Sequence, residues 1–236
     1  MKKTIALIPA RGGSKKIHKK NIKLLHGIPL IAHTIKVALS HPGIERVIVS
    51  TDDREIVEIS REYGAEVPFL RPTSIAQDNT PDKPVVLHAL DWLAGHEKYH
   101  PELVLFLRPT TPFKTTGIID DCLEKSANNP DLSSVRTVTK ATGIHHPYWM
   151  FKDINNVLKP FIPEVDLIKY YQRQLLPTCY QLNGVVDILR PEIVKSNENM
   201  YGNNIGFVEI DPNHSVDIDD ELDFAFAEFL MERKLK

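Results

Sequence analysis

Two short stretches of the chain carry the residue types needed to handle a polyphosphate. The first is Arg11-Gly12-Gly13-Ser14-Lys15, continued by Lys16 and by Lys19-Lys20-Asn21. Glycines let a backbone approach a ligand and aim several N–H groups at one point, and the cations supply charge. The spacing matches neither the GxxxxGKS/T loop nor the GxGxxG dinucleotide fingerprint. Without a ligand, the same stretch reads as a basic turn between a strand and a helix. The second stretch is Asp217-Ile218-Asp219. In extended chain, residues two apart project to one face. Two carboxylates side by side repel unless a cation lies between them, and a hard cation such as Mg²⁺ suits that oxygen environment. Capping of the last helix is the other reading, and it explains Asp219, Asp220 and Glu221 but not Asp217.

Other polar groups are weaker pointers. Arg71-Pro72 and the loop Ala76-Gln77-Asp78-Asn79-Thr80 are polar enough to contact a base and ribose, or to be plain surface. Arg173 offers a planar donor fork suited to a carboxylate. His145 and His146 are adjacent and point apart, so loop packing or an interface suits them better than a metal. No Ser-His-Asp arrangement stands out.

These groups must be positioned by the elements between them. The apolar run Thr4–Ala10 predicts a strand that empties into the basic loop. Helical spacing over Pro29–Ser40 is followed by the strand Arg46–Ser50, a helix Arg54–Tyr63 capped from Thr51-Asp52-Asp53, and a short strand Glu66–Leu70. A helix begins at Asp82. Leu103–Leu107 is a continuous apolar run, the mark of a strand buried on both faces. A helix near Thr116–Ala127 and a strand near Ser134–Val138 follow. Periodicity weakens from Lys140 to Pro177, a stretch rich in Pro and aromatics that reads as a lobe, flap or oligomer contact. Strands at Leu182–Leu189 and Ile205–Ile210 flank a short helix after Pro191, and a final helix spans Asp220–Arg233. Such alternation predicts a mostly parallel sheet with helices on both faces, with ligands outside the carboxyl ends of the strands. The basic loop, Ser50-Thr51-Asp52 and Arg108-Pro109-Thr110-Thr111-Pro112 all lie at such ends.

The 236 residues, 42% hydrophobic and 25% charged, suffice for one large domain with a real core. A net charge of -2 excludes a global field toward nucleic acid or an anionic membrane, so any polyanion site is local. No apolar stretch reaches the ~20 residues needed to span a bilayer. Cys122 and Cys179 are too few for a disulfide framework or a zinc pattern, and the cytoplasm is the expected compartment.

Taken in order, the blocks Ile8–Lys15 with Lys20-Asn21, Val49–Asp53, Leu70–Pro72, Ala76-x-Asp78, Leu107–Pro112, Arg173-Gln174-x-x-Pro177, Asn183-Gly184 and Ser215–Asp223 resemble the acylneuraminate cytidylyltransferases, also called CMP-sialic acid synthetases. The resemblance runs from about Ile5 to Phe229. It implies a single nucleotidyltransferase domain over 1–236 with a Rossmann-like α/β sheet and residues ~140–180 as an inserted dimerisation lobe. It implies reaction of CTP with a nine-carbon 2-keto-3-deoxy sugar acid, with Mg²⁺ or Mn²⁺ as cofactor, in a homodimer or tetramer. By the same resemblance, Arg11, Lys20, Asp217 and Asp219 are catalytic, and the two aspartates hold the metal. Ala10, Gly12, Gly13, Ser14, Asn21, Arg71, Asp78 and Thr80 join Arg11 and Lys20 on the nucleotide. Arg108, Thr110, Arg173, Gln181 and Asn183 fall on the sugar side.

The sequence also departs from the family pattern. Lys16 stands where Gly is usual, His18 where Pro is common, Arg108 where sialic acid members carry Gln, Trp149 where Lys often follows, and Gln181 where some members have Arg. Legionaminic, pseudaminic or octulosonic acid, or another nucleotide, therefore remain alternatives. A nucleotide-binding scaffold with a decayed site is the non-enzyme alternative.

Overall fold

The computed structural model describes residues 2–234. The chain opens with β1 (Thr4–Pro9), whose residues Ile5 to Ile8 are fully buried. The basic loop leads to a small hairpin, β2 (Leu24–Leu25) and β3 (Ile28–Pro29), and into α1 (Leu30–Ser40). Then come β4 (Arg46–Ser50), α2 (Arg54–Glu62), α3 (Asp82–Trp92), β5 (Leu103–Phe106), α4 (Thr116–Asn128) and β6 (Ser134–Lys140). An exposed hairpin, β7 (Phe151–Ile154) and β8 (Val157–Pro160), precedes the long β9 (Tyr180–Leu189). The chain closes with α5 (Pro191–Ser196), β10 (Ile205–Glu209) and α6 (Glu221–Lys234).

Six strands form one sheet in the order β10-β6-β9-β5-β1-β4. β1 pairs in parallel with β4 and β5, and β10 with β6, while β9 runs antiparallel to both neighbours. The expected parallel sheet with two helical layers is therefore present, with one strand reversed. Strand alternation sorts the core into its layers. Ala6 and Ile8 of β1 pack on one face with Ile31, Ile35, Ile119 and Cys122. Ile5 and Leu7 pack on the other with Val86, Leu90, Leu93 and Val194. Full burial of each such aliphatic side chain contributes about 1.5–3 kcal/mol.

A third apolar cluster ties the two chemical stretches together. Ile17 of the basic loop, Ile218 and Phe224 pack with Leu25, Leu30 and Phe113. Ile218 is the buried residue between the two aspartates, so its anchoring turns both carboxylates outward.

The expected strand at Glu66–Leu70 reduces to a single parallel bridge between Ile48 and Glu66. Pro68 removes a ladder donor there, so the pairing stops. Asp53 caps α2 as expected, accepting from the amides of Glu55 at 2.8 Å and Ile56 at 3.2 Å. Both cysteines are free, and burial pushes the Cys122 thiol up to about 12. Among the described residues, no helix is long and apolar enough to cross a membrane.

Candidate active site

A cleft of about 460 Å³ opens at the carboxyl ends of β1 and β5, where the alternating fold is expected to bind ligands. Six cations line it: Arg11, Lys15, Lys16, Lys20, Arg71 and Arg108. Three carboxylates face them, from Asp78, Asp82 and Asp219. A protein of net charge -2 thus concentrates a local surplus of positive charge in one concave site. Such a surplus attracts a polyanion.

The basic loop is held at both ends. Asn21 is buried, and its amide donates to the Arg11 carbonyl at 2.9 Å, closing the loop on itself. The Gly12 amide donates to Asp52 Oδ1 at 3.0 Å, and the Ser14 amide to the Gly12 carbonyl at 3.0 Å. These two amides are thus used inside the protein rather than aimed at the cleft. Gly12 is required for another reason: a Cβ there would lie 2.5 Å from Asp53 Oδ2 and 2.8 Å from Asp53 Cβ. Ser14 lines the cleft, whereas Ala10, Gly12 and Gly13 do not.

Lys20 joins the loop to the carboxylate segment. Its Nζ donates to the Ile218 carbonyl at 2.7 Å and sits 3.4 Å from Asp219 Oδ1. Ile218 in turn donates its amide to the Thr110 carbonyl at 2.8 Å, so three distant segments meet at this point. Asp219 lines the cleft; Asp217 is exposed beside it. Among the described residues, no group of three or more His, Cys, Asp and Glu side chains could hold a metal ion. Two outward carboxylates next to a triphosphate-sized cleft nevertheless fit a hard cation that takes its remaining ligands from phosphate and water.

Arg71 is 5% exposed and lines the cleft. It donates to the Ser50 carbonyl at 2.5 Å, while its buried Nε has no partner among the described residues. Burial lowers its pKa, opposed by the charges of Asp52 and Asp82, yet an arginine stays charged. Thr80 lines the same wall, and Asp78 pairs across it with Arg11 and Lys15.

Arg108 also lines the cleft, but its guanidinium is engaged. It donates to Asp187 at 2.8 Å, to Asp82 at 2.7 Å and to the Tyr201 hydroxyl at 3.3 Å. Burial works to lower its pKa; the charges of Asp187 and Asp82 outweigh burial and raise it. Asp187 is wholly buried, and Arg136 donates to it from the other side at 2.9 Å. Gly184, at φ +64°, brings β9 close: a Cβ there would stand 3.2 Å from Arg108 Nη1. Thr110 lines the cleft too.

The remaining sugar-side residues lie outside the cleft. Arg173 is exposed and donates to Thr142 Oγ1 at 2.9 Å, and Gln181 is exposed on β9. Asn183 sits where the β6–β9 register shifts, a bulge of the kind that re-aims side chains beside sites. It accepts from Thr137 Oγ1 at 2.6 Å, and its amide nitrogen is buried without a partner among the described residues. His146 is buried, with Nε2 2.9 Å from the Pro177 carbonyl and Nδ1 accepting from the Tyr148 amide at 3.1 Å, so it packs within its loop.

Asp82, Asp187, Tyr201 and Lys114 are site residues that sequence reasoning passed over. Lys114 is buried, and its Nζ donates to the Arg108 carbonyl at 2.6 Å and to Thr111 O and Oγ1 at 2.5 and 2.6 Å. It pins the turn that carries Arg108 and Thr110. A charge inside the apolar run Val185–Leu189 was the signal for Asp187.

The structure superposes on that of a CMP:2-keto-3-deoxy-manno-octonic acid synthetase complexed with CTP, at a TM-score of 0.74 and 17% identity, covering 98% of this chain and 99% of that one. At that identity the likeness speaks for the fold alone. In sequence, the chain is 32% identical to the CMP-N,N'-diacetyllegionaminic acid synthase of Legionella pneumophila, covering 97% of this chain and 96% of the relative. It is 32% identical to the synthase of the same name from Campylobacter jejuni, covering 99% and 97%. It is also 29% identical to the N-acylneuraminate cytidylyltransferase of Escherichia coli, covering 98% of this chain and 53% of that protein. A family model described as cytidylyltransferase matches residues 5–203. On that match and on the full-length relatives, this chain belongs to the cytidylyltransferase family.

Proposed function

We propose that the protein transfers the cytidylyl group of CTP to the anomeric hydroxyl of a nine-carbon 2-keto-3-deoxy sugar acid of the sialic acid type, releasing pyrophosphate. The observation that carries this reading is the cleft itself, in which six cations meet the Asp217–Asp219 segment at the carboxyl edge of the sheet. Transfer of this kind is achieved by positioning and charge neutralisation, with little covalent chemistry for the protein. Arg11 and Lys20 neutralise the triphosphate and stabilise charge on the departing pyrophosphate. Ser14 and Asn21 shape the loop around it. Arg71 and Thr80, which line the cleft, hold the nucleoside side. Asp217 and Asp219 would hold Mg²⁺ or Mn²⁺. Such an ion neutralises phosphate charge and lowers the pKa of a bound hydroxyl.

The acceptor sugar falls on the Arg108–Thr110 wall. Its carboxylate or an acceptor oxygen suits a donor-only arginine better than a glutamine, which also accepts. Two relatives named as legionaminic acid synthases make a legionaminic-type acid the first acceptor to test. Arg173, Gln181 and Asn183 stay candidate acceptor contacts on the family resemblance, although none of them lines the cleft.

That segment exposes Ile144, Leu158, Phe161 and Ile168, with relative exposures of 79%, 72%, 60% and 87%. An apolar surface of this kind is an interaction site, and a second copy of the chain is its proposed partner. The proposed reaction uses CTP and belongs in the cytoplasm.

The test is pyrophosphate release with each of the four nucleoside triphosphates against a panel of sugar acids. Release only with CTP, and only with a nine-carbon acid present, supports the reading. Equal release with several nucleotides or with an octulosonic acid moves the substrate to that alternative, and no release with any pair leaves a scaffold.

A further inference from the structure

Asp78 faces two cations of the basic loop across the cleft. Its Oδ1 accepts from Arg11 Nη1, and its Oδ2 pairs with Lys15 Nζ. All three side chains line the cleft. We propose that Asp78 is an internal counter-ion, which holds Arg11 and Lys15 in place until the triphosphate displaces it and which retakes them as pyrophosphate leaves. This rests on the proposed nucleotide reading of the cleft.

The chemistry requires an exchange. A nucleoside triphosphate brings several negative charges to cations that already carry a carboxylate. Asp78 left in place would repel the incoming phosphates, since like charges within a few ångström disfavour one another. The pairs are built to open. The Asp78 side chain is 40% exposed, Arg11 32% and Lys15 77%, and exposed ion pairs of this kind are weak. The carboxylate sits on a short turn closed by its own bonds, Gln77 N to Thr80 Oγ1 at 3.1 Å and Thr80 N to the Gln77 carbonyl at 3.1 Å. That turn can swing without disturbing the core. Lys20 differs, because its shortest contact is the neutral Ile218 carbonyl. Asp78 therefore sets how tightly polyphosphate is held, and acts on the reaction through Arg11 and Lys15 as a positioning residue.

The test is calorimetric titration of inorganic pyrophosphate into the wild type, Asp78→Asn and Asp78→Asn with Lys15→Ala, at low and high salt. Asp78→Asn is expected to bind pyrophosphate about 3- to 10-fold more tightly at low salt, the range two weak surface pairs supply. The gain should shrink at high salt and fall away in the double variant. The same variant should be inhibited by pyrophosphate at lower concentrations during turnover. Asp78→Ala should move in the same direction. A merely structural role predicts weaker binding, and unchanged or weaker pyrophosphate affinity in both Asp78 variants overturns the proposal. Wild type that binds pyrophosphate yet transfers no cytidylyl group overturns the functional reading instead. Wild type that binds no pyrophosphate overturns both.

Discussion

Arg108 donates a 2.8 Å hydrogen bond to Asp187, a carboxylate with no solvent exposure, and Arg136 donates to the same group from the opposite side at 2.9 Å. A buried carboxylate between two guanidiniums fixes both of them and sets the direction in which Arg108 meets the cleft. Removing one member of such a cluster leaves uncompensated buried charge, which costs about 3–5 kcal/mol. Asp187→Asn should therefore destabilise the fold by roughly that amount, read as a lower urea midpoint with an unchanged m-value. A loss below ~1 kcal/mol would show that the arginines find other partners, since that is the scale of an exposed pair.

Arg108→Gln changes the acceptor wall without removing the cleft. It abolishes charge and adds an acceptor. The expected result is a changed ranking of kcat/KM among nine-carbon sugar acids, with the KM for CTP within about two- to threefold of wild type, as expected where only acceptor-side contacts change. Unchanged ratios across the panel would assign Arg108 to the Asp82–Asp187 network alone.

The carboxylate pair should be needed for turnover and not for folding, since Asp217 and Asp219 are both exposed. Asp217→Asn and Asp219→Asn should each lower kcat by at least about 100-fold at ordinary Mg²⁺, in line with loss of one charge-stabilising group. Their thermal midpoints should stay near that of wild type. Near-normal rates in either variant would remove that residue from the metal site.

Lys114 should leave a pH signature. Burial lowers its pKa well below the ordinary value, reinforced by Arg108 and opposed by Asp217 and Asp187. Between that lowered value and the ordinary lysine value of about 10.4, the unfolded chain binds a proton that the folded chain lacks. Stability should therefore rise with pH across that window, by linkage. Lys114→Met should flatten this rise, measured as urea unfolding free energy at stepped pH. An identical pH slope in wild type and variant would mean that the bonds to Arg108 O, Thr111 O and Thr111 Oγ1 keep the ammonium charged.

Much of the frame was legible because local signals and burial agreed. The apolar runs of β1, β4 and β5 became central strands, and Asp53 capped α2 as its position suggested. The reversal of β9 was not legible, since a hydrophobic pattern has no direction. Glu66–Leu70 misled because its composition is strand-like while Pro68 prevents a ladder. The basic loop and Asp219 met at one cleft as their chemistry implied. The pairing of Asp187 with Arg136 and Arg108, separated by 51 and 79 positions, exists only in the folded sheet. Sequence shows a charge in an apolar run, and tertiary structure alone supplies its partners.

The central claim is that the α-phosphorus of CTP moves to the sugar acid. The most direct measurement compares CTP labelled with ³²P at the α- or the γ-position, incubated with the enzyme, Mg²⁺ and a legionaminic-type acid. The account predicts that α-label travels with the sugar acid as its CMP derivative, while γ-label leaves entirely as pyrophosphate. Gamma-label appearing as orthophosphate, or α-label remaining in a nucleotide with no sugar attached, would contradict it.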